Sequence, residues 1–264
     1  MSMKIQELKN RGQKITCLTA YSFPIAKIID PHCDLILVGD SLAMTIYGET
    51  DTTKATVEMM IAHAKAVVKA RKNALVIVDL PANSYETSPN QALATAKLVL
   101  EQTKCDAIKI ETPPNLLPIV KFLVQNNIPV IAHIGLMPQY VNEIGGYKYQ
   151  GTRPEEAEKI FANAIELEKA GVLAIVIEAV PAKLATQITK SLTIPTIGIG
   201  ASADCDGQVL VIDDLIGLNQ EFTPRFVKKY CNIATEIEIA VKNFAQDVAK
   251  GTFPAKEHLF EKDG

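Results

Sequence analysis

The sequence predicts an α/β protein: a single (β/α)8 TIM barrel with extra C-terminal helices, forming one domain over residues 1–264. Two observations carry this expectation. Short apolar, β-prone runs alternate with segments whose apolar residues recur at three- and four-residue steps, and eight such runs can be placed. No Gly/Ser-rich or Pro-rich stretch is long enough to separate domains. An open, doubly wound sheet shares the same alternation and remains the rival, because periodicity does not report closure.

The first strand is Ile15–Thr19, ending in Ala20-Tyr21. Phe23–Ile29 has the spacing of a short helix and stops at Asp30-Pro31, since proline pushes the preceding residue out of the helical region. Next comes DLILVGDSLAM, Asp34 to Met44, around which the chain is organised. Its apolar opening, Asp34–Val38, is too short for a typical helix and is stopped by Gly39, so it reads as a strand buried on both faces. Asp40 and Ser41 follow at once. Val57–Arg71 carries Met60, Ile61, Ala64, Val67 and Val68 on one helical stripe, capped near Thr56. Ala74–Val78 is a further strand, again followed by an acid, Asp79.

Ser88–Gln102 is an Ala- and Leu-rich helix with a capping Ser88-Pro89 start, and Ala107–Ile110 is a strand ending on Glu111. Leu116–Gln125 follows as a helix, and the strand Val130–Ala132 ends on His133. Pro154–Ala170 is a helix with Thr152 as its expected cap and Glu155 and Glu156 near the positive end of its dipole. Ala174–Ile177 is a strand terminated by Glu178. Ala182–Ser191 reads as a helix, Thr196–Ile199 as the seventh strand and Val209–Ile212 as the eighth. From Pro224 to Lys250 the chain reads helical, with Ile233, Ile237, Ala240, Phe244 and Val248 forming a face for the barrel or another subunit.

Composition narrows the function. Hydrophobic residues are 48% and charged residues 22%, which suits a soluble domain with a large core and excludes a disordered chain. With a net charge of -3 and no basic run beyond Lys228-Lys229, no feature calls for nucleic acid or an anionic membrane. Small-molecule chemistry is the default. The five cysteines are scattered and include no Cys-x-x-Cys pair, so neither a zinc site nor a disulfide framework is expected. The polar start, MSMKIQELKNRGQK, lacks the apolar segment of a secretory signal, which points to a cytoplasmic setting.

If the sheet closes, Asp40, Asp79, Lys109, Glu111, His133 and Glu178 all reach one mouth from the carboxyl ends of strands. Lys109 and Glu111 enter the same interior, because residues two apart on a strand share a face. Two carboxylates about 4 Å apart repel by roughly 4 kcal/mol at an effective dielectric of about 20, so this group calls for a cation, protonation, or both. Oxygen donors without cysteine favour Mg2+ over Zn2+. Helix capping or turn formation is the plain alternative for such acids, Asp40 included. A metal with Lys109 would hold a 2-oxo acid, and a carboxylate free of metal duty would take the proton beside its carbonyl. By elimination that base is Glu178, which stands on a later strand than the other acids.

LILVGDSLAM, IVDLP, AIKIE, AHIGLMPQ, GGYKYQG, VIEAVP, IPTIGIGAS and CDGQVLV occur in an order that resembles the ketopantoate hydroxymethyltransferase family over nearly the whole chain, and PRFVKKY fits as well. The resemblance implies a Mg2+-dependent barrel enzyme that opens the pantothenate pathway. It would transfer a hydroxymethyl group from methylenetetrahydrofolate to 3-methyl-2-oxobutanoate, through a Mg-stabilised enolate, to give 2-dehydropantoate. On matching positions, Asp40 and Asp79 resemble metal ligands, with Glu111 completing the site directly or through water. Asp40, Ser41, Asp79 and Lys109 resemble the groups that bind the oxo acid, and Glu178 the catalytic proton acceptor. A homo-oligomer, a homodecamer, is also implied. Ala43, Met137, Tyr149 and Ala179 depart from the family pattern of Gly, Thr, Val and Cys, and none of them removes a proposed catalytic group.

Three rivals stand. A phosphoenolpyruvate mutase or isocitrate lyase relative would carry Lys-Lys-Cys-Gly-His, which is absent here. The Gly198 to Ala201 turn could cradle a phosphate or simply allow close strand packing. A Schiff-base aldolase would need Lys109 with a lowered pKa. A metal-binding protein without turnover would keep the same residues.

Overall fold

The apolar runs become eight parallel strands in a computed structural model that describes residues 2–220 and 223–260. They are β1 (Ile15–Thr19), β2 (Leu35–Val38), β3 (Leu75–Asp79), β4 (Ala107–Glu111), β5 (Val130–Gly135), β6 (Ala174–Glu178), β7 (Thr196–Ile199) and β8 (Gly207–Leu210). Each pairs with the next, and β8 returns to β1 through Ile15 to Leu18, so the sheet closes into the expected barrel. The open doubly wound sheet is excluded by that last pairing.

Helix α1 (Ser2–Asn10) precedes the barrel, and α2 (Phe23–Ile29) follows β1. The short α3 (Leu42–Thr45) and α4 (Val57–Ala70) follow β2, after which α5 (Pro89–Thr103), α6 (Leu117–Gln125), α7 (Pro154–Ala170) and α8 (Ala182–Ser191) follow β3 to β6. The expected caps at α4 and α5 are present: Thr56 accepts from the Met59 amide and Ser88 from the Gln91 amide. At α7 the expected cap is corrected. Arg153, not Thr152, occupies the capping position and makes no side-chain cap bond, because its guanidinium has only donors and cannot accept from the helix amides; it pairs with Glu156.

Inside the barrel, Cys17, Leu37, Ile77, Ile131, Val176 and Val209 pack together. The void left among the lining side chains is only about 10 Å3, so the interior is a filled core. Fully burying one such aliphatic side chain stabilises the fold by about 1.5–3 kcal/mol. The pleat then positions the chemistry. The inward parity of Ile77, Ala107, Ile131 and Val176 continues two residues at a time to Asp79, Lys109 and Glu111, His133, and Glu178. Register adds the neighbours: Asp79 lies beside Lys109, and Glu111 beside His133.

The last strand begins earlier than Val209 and ends before Ile212, which instead starts α9 (Ile212–Leu215). Gly207 explains the shift. A Cβ there would stand 2.5 Å from the Ile15 carbonyl oxygen, so only glycine lets β8 close on β1 at this level.

The chain divides into two compact units, one ending at Ile212 and the other beginning at Asp213. In the second, the helix expected from Pro224 starts only at Ile233, as α10 (Ile233–Lys250). The residues before it are held otherwise: Val227 bonds back to Pro224 in a turn, and the amides of Tyr230 and Ile233 donate to the carbonyls of Leu215 and Ile216. Among the described residues, no helix is long and apolar enough to cross a membrane.

Gly207→Ala is expected to destabilise the barrel by about 1–3 kcal/mol through forced overpacking at the closing strand. A urea titration that leaves the unfolding midpoint where it stands in the parent protein would contradict this account of closure.

Candidate active site

The mouth is built from the strand ends in order. After β2 the chain turns through Gly39, where a Cβ would come within 2.8 Å of Ser41 Oγ, and this leaves room for Asp40 and Ser41 to fold back over the sheet. The Asp40 amide donates to Asp79 Oδ2 at 3.1 Å, and Ser41 Oγ shares a 2.7 Å hydrogen bond with Tyr21 Oη. Asp79 Oδ1 pairs with Lys109 Nζ at 3.2 Å. Lys109 Nζ also lies 3.3 Å from His133 Nδ1, and His133 Nε2 lies 3.3 Å from Glu178 Oε2. All six sequence-predicted mouth residues therefore share one region, with Ser41 at its edge.

Electrostatics at this mouth are unbalanced. Asp40, Asp79, Lys109, Glu111 and His133 are each at most 6% exposed, so their charges are poorly screened. Burial pushes Asp79 up to about 7 against the pull of Lys109, with the Asp40 charge adding to the rise. Burial raises Asp40 and Glu111 as well. At Lys109, burial alone would favour the neutral amine, but Asp79, Asp40 and Glu111 outweigh it and hold the ammonium protonated. His133 is pushed down by burial and then by Lys109, so its ring is neutral. A protonated Lys109 can only donate, so Nδ1 accepts and the ring proton is assigned to Nε2, facing Glu178.

Three buried carboxyl groups face one lysine, so with all three ionised two negative charges stand uncompensated, and without another cation burial favours their protonated forms. Asp79 Oδ1 keeps its ion pair but has no directed hydrogen bond. An all-oxygen donor set with spare lone pairs and a twofold negative excess fits a hard divalent cation. Among the described residues no three His, Cys, Asp or Glu side chains converge into a closed cage.

A sequence profile of the ketopantoate hydroxymethyltransferase family matches residues 1–256. The chain belongs to the ketopantoate hydroxymethyltransferase family. It is 47% identical over 249 residues to the 3-methyl-2-oxobutanoate hydroxymethyltransferase of Cereibacter sphaeroides, covering 94% of this chain and 90% of that protein. It is 48% identical over 249 residues to the protein of the same name from Rhodospirillum rubrum, with the same coverage. In fold it is similar to a phosphoenolpyruvate phosphomutase from Streptomyces platensis, with a TM-score of 0.62 at 13% identity over 98% of this chain and 92% of that one. Phosphonopyruvate hydrolase, solved with oxalate and Mg++, gives a TM-score of 0.60 at 13% identity, covering 97% and 92%.

In this member of the ketopantoate hydroxymethyltransferase family, two contributors to the site escape residue-by-residue reading. Gln139 follows the glycine turn after β5 and ties the carboxylates together. Its side-chain amide donates to Asp40 Oδ2 at 2.7 Å and to the Leu80 carbonyl at 3.0 Å, while its backbone amide donates to both Glu111 carboxylate oxygens at 3.2 and 3.1 Å. Tyr85, fully buried, donates to Gln139 Oε1 at 2.6 Å and accepts from the Glu111 amide at 3.1 Å. The signal for Gln139 was a polar residue at the end of AHIGLMPQ. Nothing local marks Tyr85. Gly135 matters too: at φ +93 it brings the Leu136 amide to the Glu178 carbonyl at 2.9 Å, where a Cβ would stand 2.2 Å from that oxygen.

Two outcomes follow. Gln139→Leu leaves Asp40 Oδ2 without its donor in a buried site, a loss worth about 1–3 kcal/mol, so turnover is expected to fall at least about tenfold; wild-type kinetics in this variant would remove Gln139 from the site. The second concerns pH. An acid whose folded pKa lies above its unfolded value binds more protons when folded, so its stabilising effect is present at low pH and lost as pH rises. For Asp79 that loss runs from its unfolded value near about 4 up to about 7. Metal-free protein is therefore expected to lose thermal stability across this range, and added Mg2+ to raise the melting temperature more at pH 8 than at pH 6; an equal rise at both would contradict it.

Proposed function

We propose that the chain transfers a hydroxymethyl group from methylenetetrahydrofolate to 3-methyl-2-oxobutanoate, giving 2-dehydropantoate at the entry to pantothenate biosynthesis. Curated relatives at 47% and 48% identity carry the name of this activity. The observation that carries the chemistry is the chain of contacts Asp79–Lys109–His133–Glu178, with a buried Asp79–Lys109 ion pair at one end and a partly exposed carboxylate at the other.

Asp40 and Asp79 would hold Mg2+, with Glu111 joining directly or through water, consistent with its carboxylate being engaged by the Gln139 amide. When bound, the ion would supply positive charge at the keto oxygen of the substrate. Lys109 and Ser41 orient the oxo acid, with Asp40 and Asp79 beneath it. Ser41 is held for this by Tyr21, and Lys109 stays cationic among the acids. That protonated state argues against the Schiff-base aldolase.

Glu178 acts as the base. It takes the proton from C3 of the oxo acid, and the C–H electron pair becomes the enolate. The neutral His133 ring lies with Nε2 3.3 Å from Glu178 Oε2 but makes no directed hydrogen bond there, so the carboxylate is left available for the substrate. The enolate carbon then forms a bond to the methylene carbon as its bond to one folate nitrogen breaks, and that nitrogen takes the proton held by Glu178. Water cleaves the remaining carbon–nitrogen bond, leaving its oxygen as the hydroxyl and a proton on the second nitrogen, and tetrahydrofolate departs.

The net charge of -3 agrees with small-molecule substrates, without nucleic acid or membrane. Free cysteines, Cys231 among them exposed, agree with a reducing cytoplasm. Ile237, Val241, Phe244 and Val248 of α10 are exposed large hydrophobics, which supports a homo-oligomer, with a homodecamer as the family expectation.

The test isolates the first half of the reaction. Exchange of the C3 proton of 3-methyl-2-oxobutanoate into deuterated solvent, followed by NMR without folate, is expected with Mg2+ and lost with chelator. Glu178→Gln should slow it by about 10²–10⁴-fold. Full exchange in that variant would remove Glu178 as the base. Absence of exchange in the wild type with bound substrate, persisting after folate is added, would overturn the reaction itself.

A further inference from the structure

Beside the mouth lies a cavity that the chemistry above does not use. The segment from residue 136 to 153, between β5 and α7, is pinned at both ends to the active site. Near its start Gln139 bonds Asp40 and Glu111; near its end the Gln150 amide donates to the Ala179 carbonyl at 3.0 Å, one residue past Glu178. Between these pins the segment borders, with Thr50 and Asp51 from the loop after β2, an open cleft of about 270 Å3. Pockets for whole drug-sized ligands span about 300–1,000 Å3. This one has the size for a ring system at the head of a longer molecule.

Its lining is specific. Asp51 contributes a carboxylate held in place by the Thr53 amide, which donates to Oδ1 at 2.9 Å, and by the Thr53 hydroxyl. Those bonds keep its pKa below the usual carboxylate value, so it is ionised, and Oδ2 receives only a long 3.3 Å bond from Thr50. Tyr147 contributes an aromatic face, with its hydroxyl donating to Met44 Sδ at 3.7 Å. Gly145 and Gly146 form a bare stretch of backbone: a Cβ at Gly146 would meet nothing within 4 Å. Burial raises the Tyr147 hydroxyl, and the charge of Asp51 adds to the rise.

These features select among the reactants. A small anionic oxo acid would be repelled by the ionised Asp51. The one-carbon carrier instead has a flat 2-amino-4-oxo bicyclic head whose ring N–H and amino group form a double donor edge, the complement of a carboxylate. Its faces stack on aromatic rings. We propose that this cavity seats the pterin head of the reduced folate, with Asp51 accepting from the donor edge, Tyr147 stacking on one face, and Gly145-Gly146 allowing the ring to lie against the backbone. The inference rests on the hydroxymethyl-transfer reading above and adds to it the residues that hold the carrier.

The test is calorimetric binding of tetrahydrofolate, and separately of 3-methyl-2-oxobutanoate, to the full chain with Mg2+. Asp51→Asn replaces an acceptor by a donor and is expected to weaken tetrahydrofolate binding by at least about tenfold, the scale of one lost charged hydrogen bond. Tyr147→Ala should weaken it by about three- to tenfold, while Tyr147→Phe, which keeps the ring, should bind as the wild type does. Both weakened variants should keep their affinity for the oxo acid. Unchanged tetrahydrofolate affinity in Asp51→Asn and Tyr147→Ala would overturn the seat while leaving the reaction standing. An equal loss of oxo-acid affinity would also overturn it, as a general collapse of the mouth. Failure of the wild type to bind tetrahydrofolate at all would overturn the reaction and the seat together.

Discussion

Buried negative charge without enough positive charge to balance it is the constraint on which the mouth of this barrel depends. Asp40, Asp79 and Glu111 are desolvated by the strands that deliver them, and Lys109 alone answers from within the protein. Such an arrangement is costly in a folded chain unless protons, a cation or substrate complete it. It also sets the state of its neighbours: Lys109 stays charged and His133 stays neutral, while Glu178, the most exposed acid of the group, stands beside the His133 ring.

The barrel makes this concentration of charge tolerable. Below Lys109 the interior is packed with aliphatic side chains almost without void, so water has no route through the axis. The aliphatic stem of Lys109 belongs to that apolar layer while its ammonium belongs to the charged one. One strand thus joins core and chemistry, and the same two-residue pleat that fills the core aims the acids.

The loop after β5 links the two halves of the proposed reaction. Through Gln139 it donates hydrogen bonds to Asp40 and Glu111, and through Gln150 it returns to the residue after Glu178. Everything between those pins is held at the rim, where a second, larger reactant would approach the first. Ala179 sits at φ +45, a backbone conformation that side-chain-bearing residues rarely adopt, and it receives the Gln150 bond there.

Much of this was legible in the residues themselves. Alternation of apolar runs and helical stripes determined the element types, because burial on two faces and burial on one face leave different periodicities. The acids at successive strand ends marked the mouth, and the order of motifs marked the family. Boundaries were less secure where tertiary contacts decide them. Gly207 moves β8 forward because Ile15 approaches it from across the barrel, and bonds to Leu215 and Ile216 hold the segment before α10 out of the helix. Gln139 and Tyr85 were beyond reach for the same reason. Their importance lies in partners 26 to 99 residues away along the chain, and a hydrogen bond between distant residues leaves no periodicity behind. Local physics determined what each segment would become; only closure of the barrel decided which charges would meet.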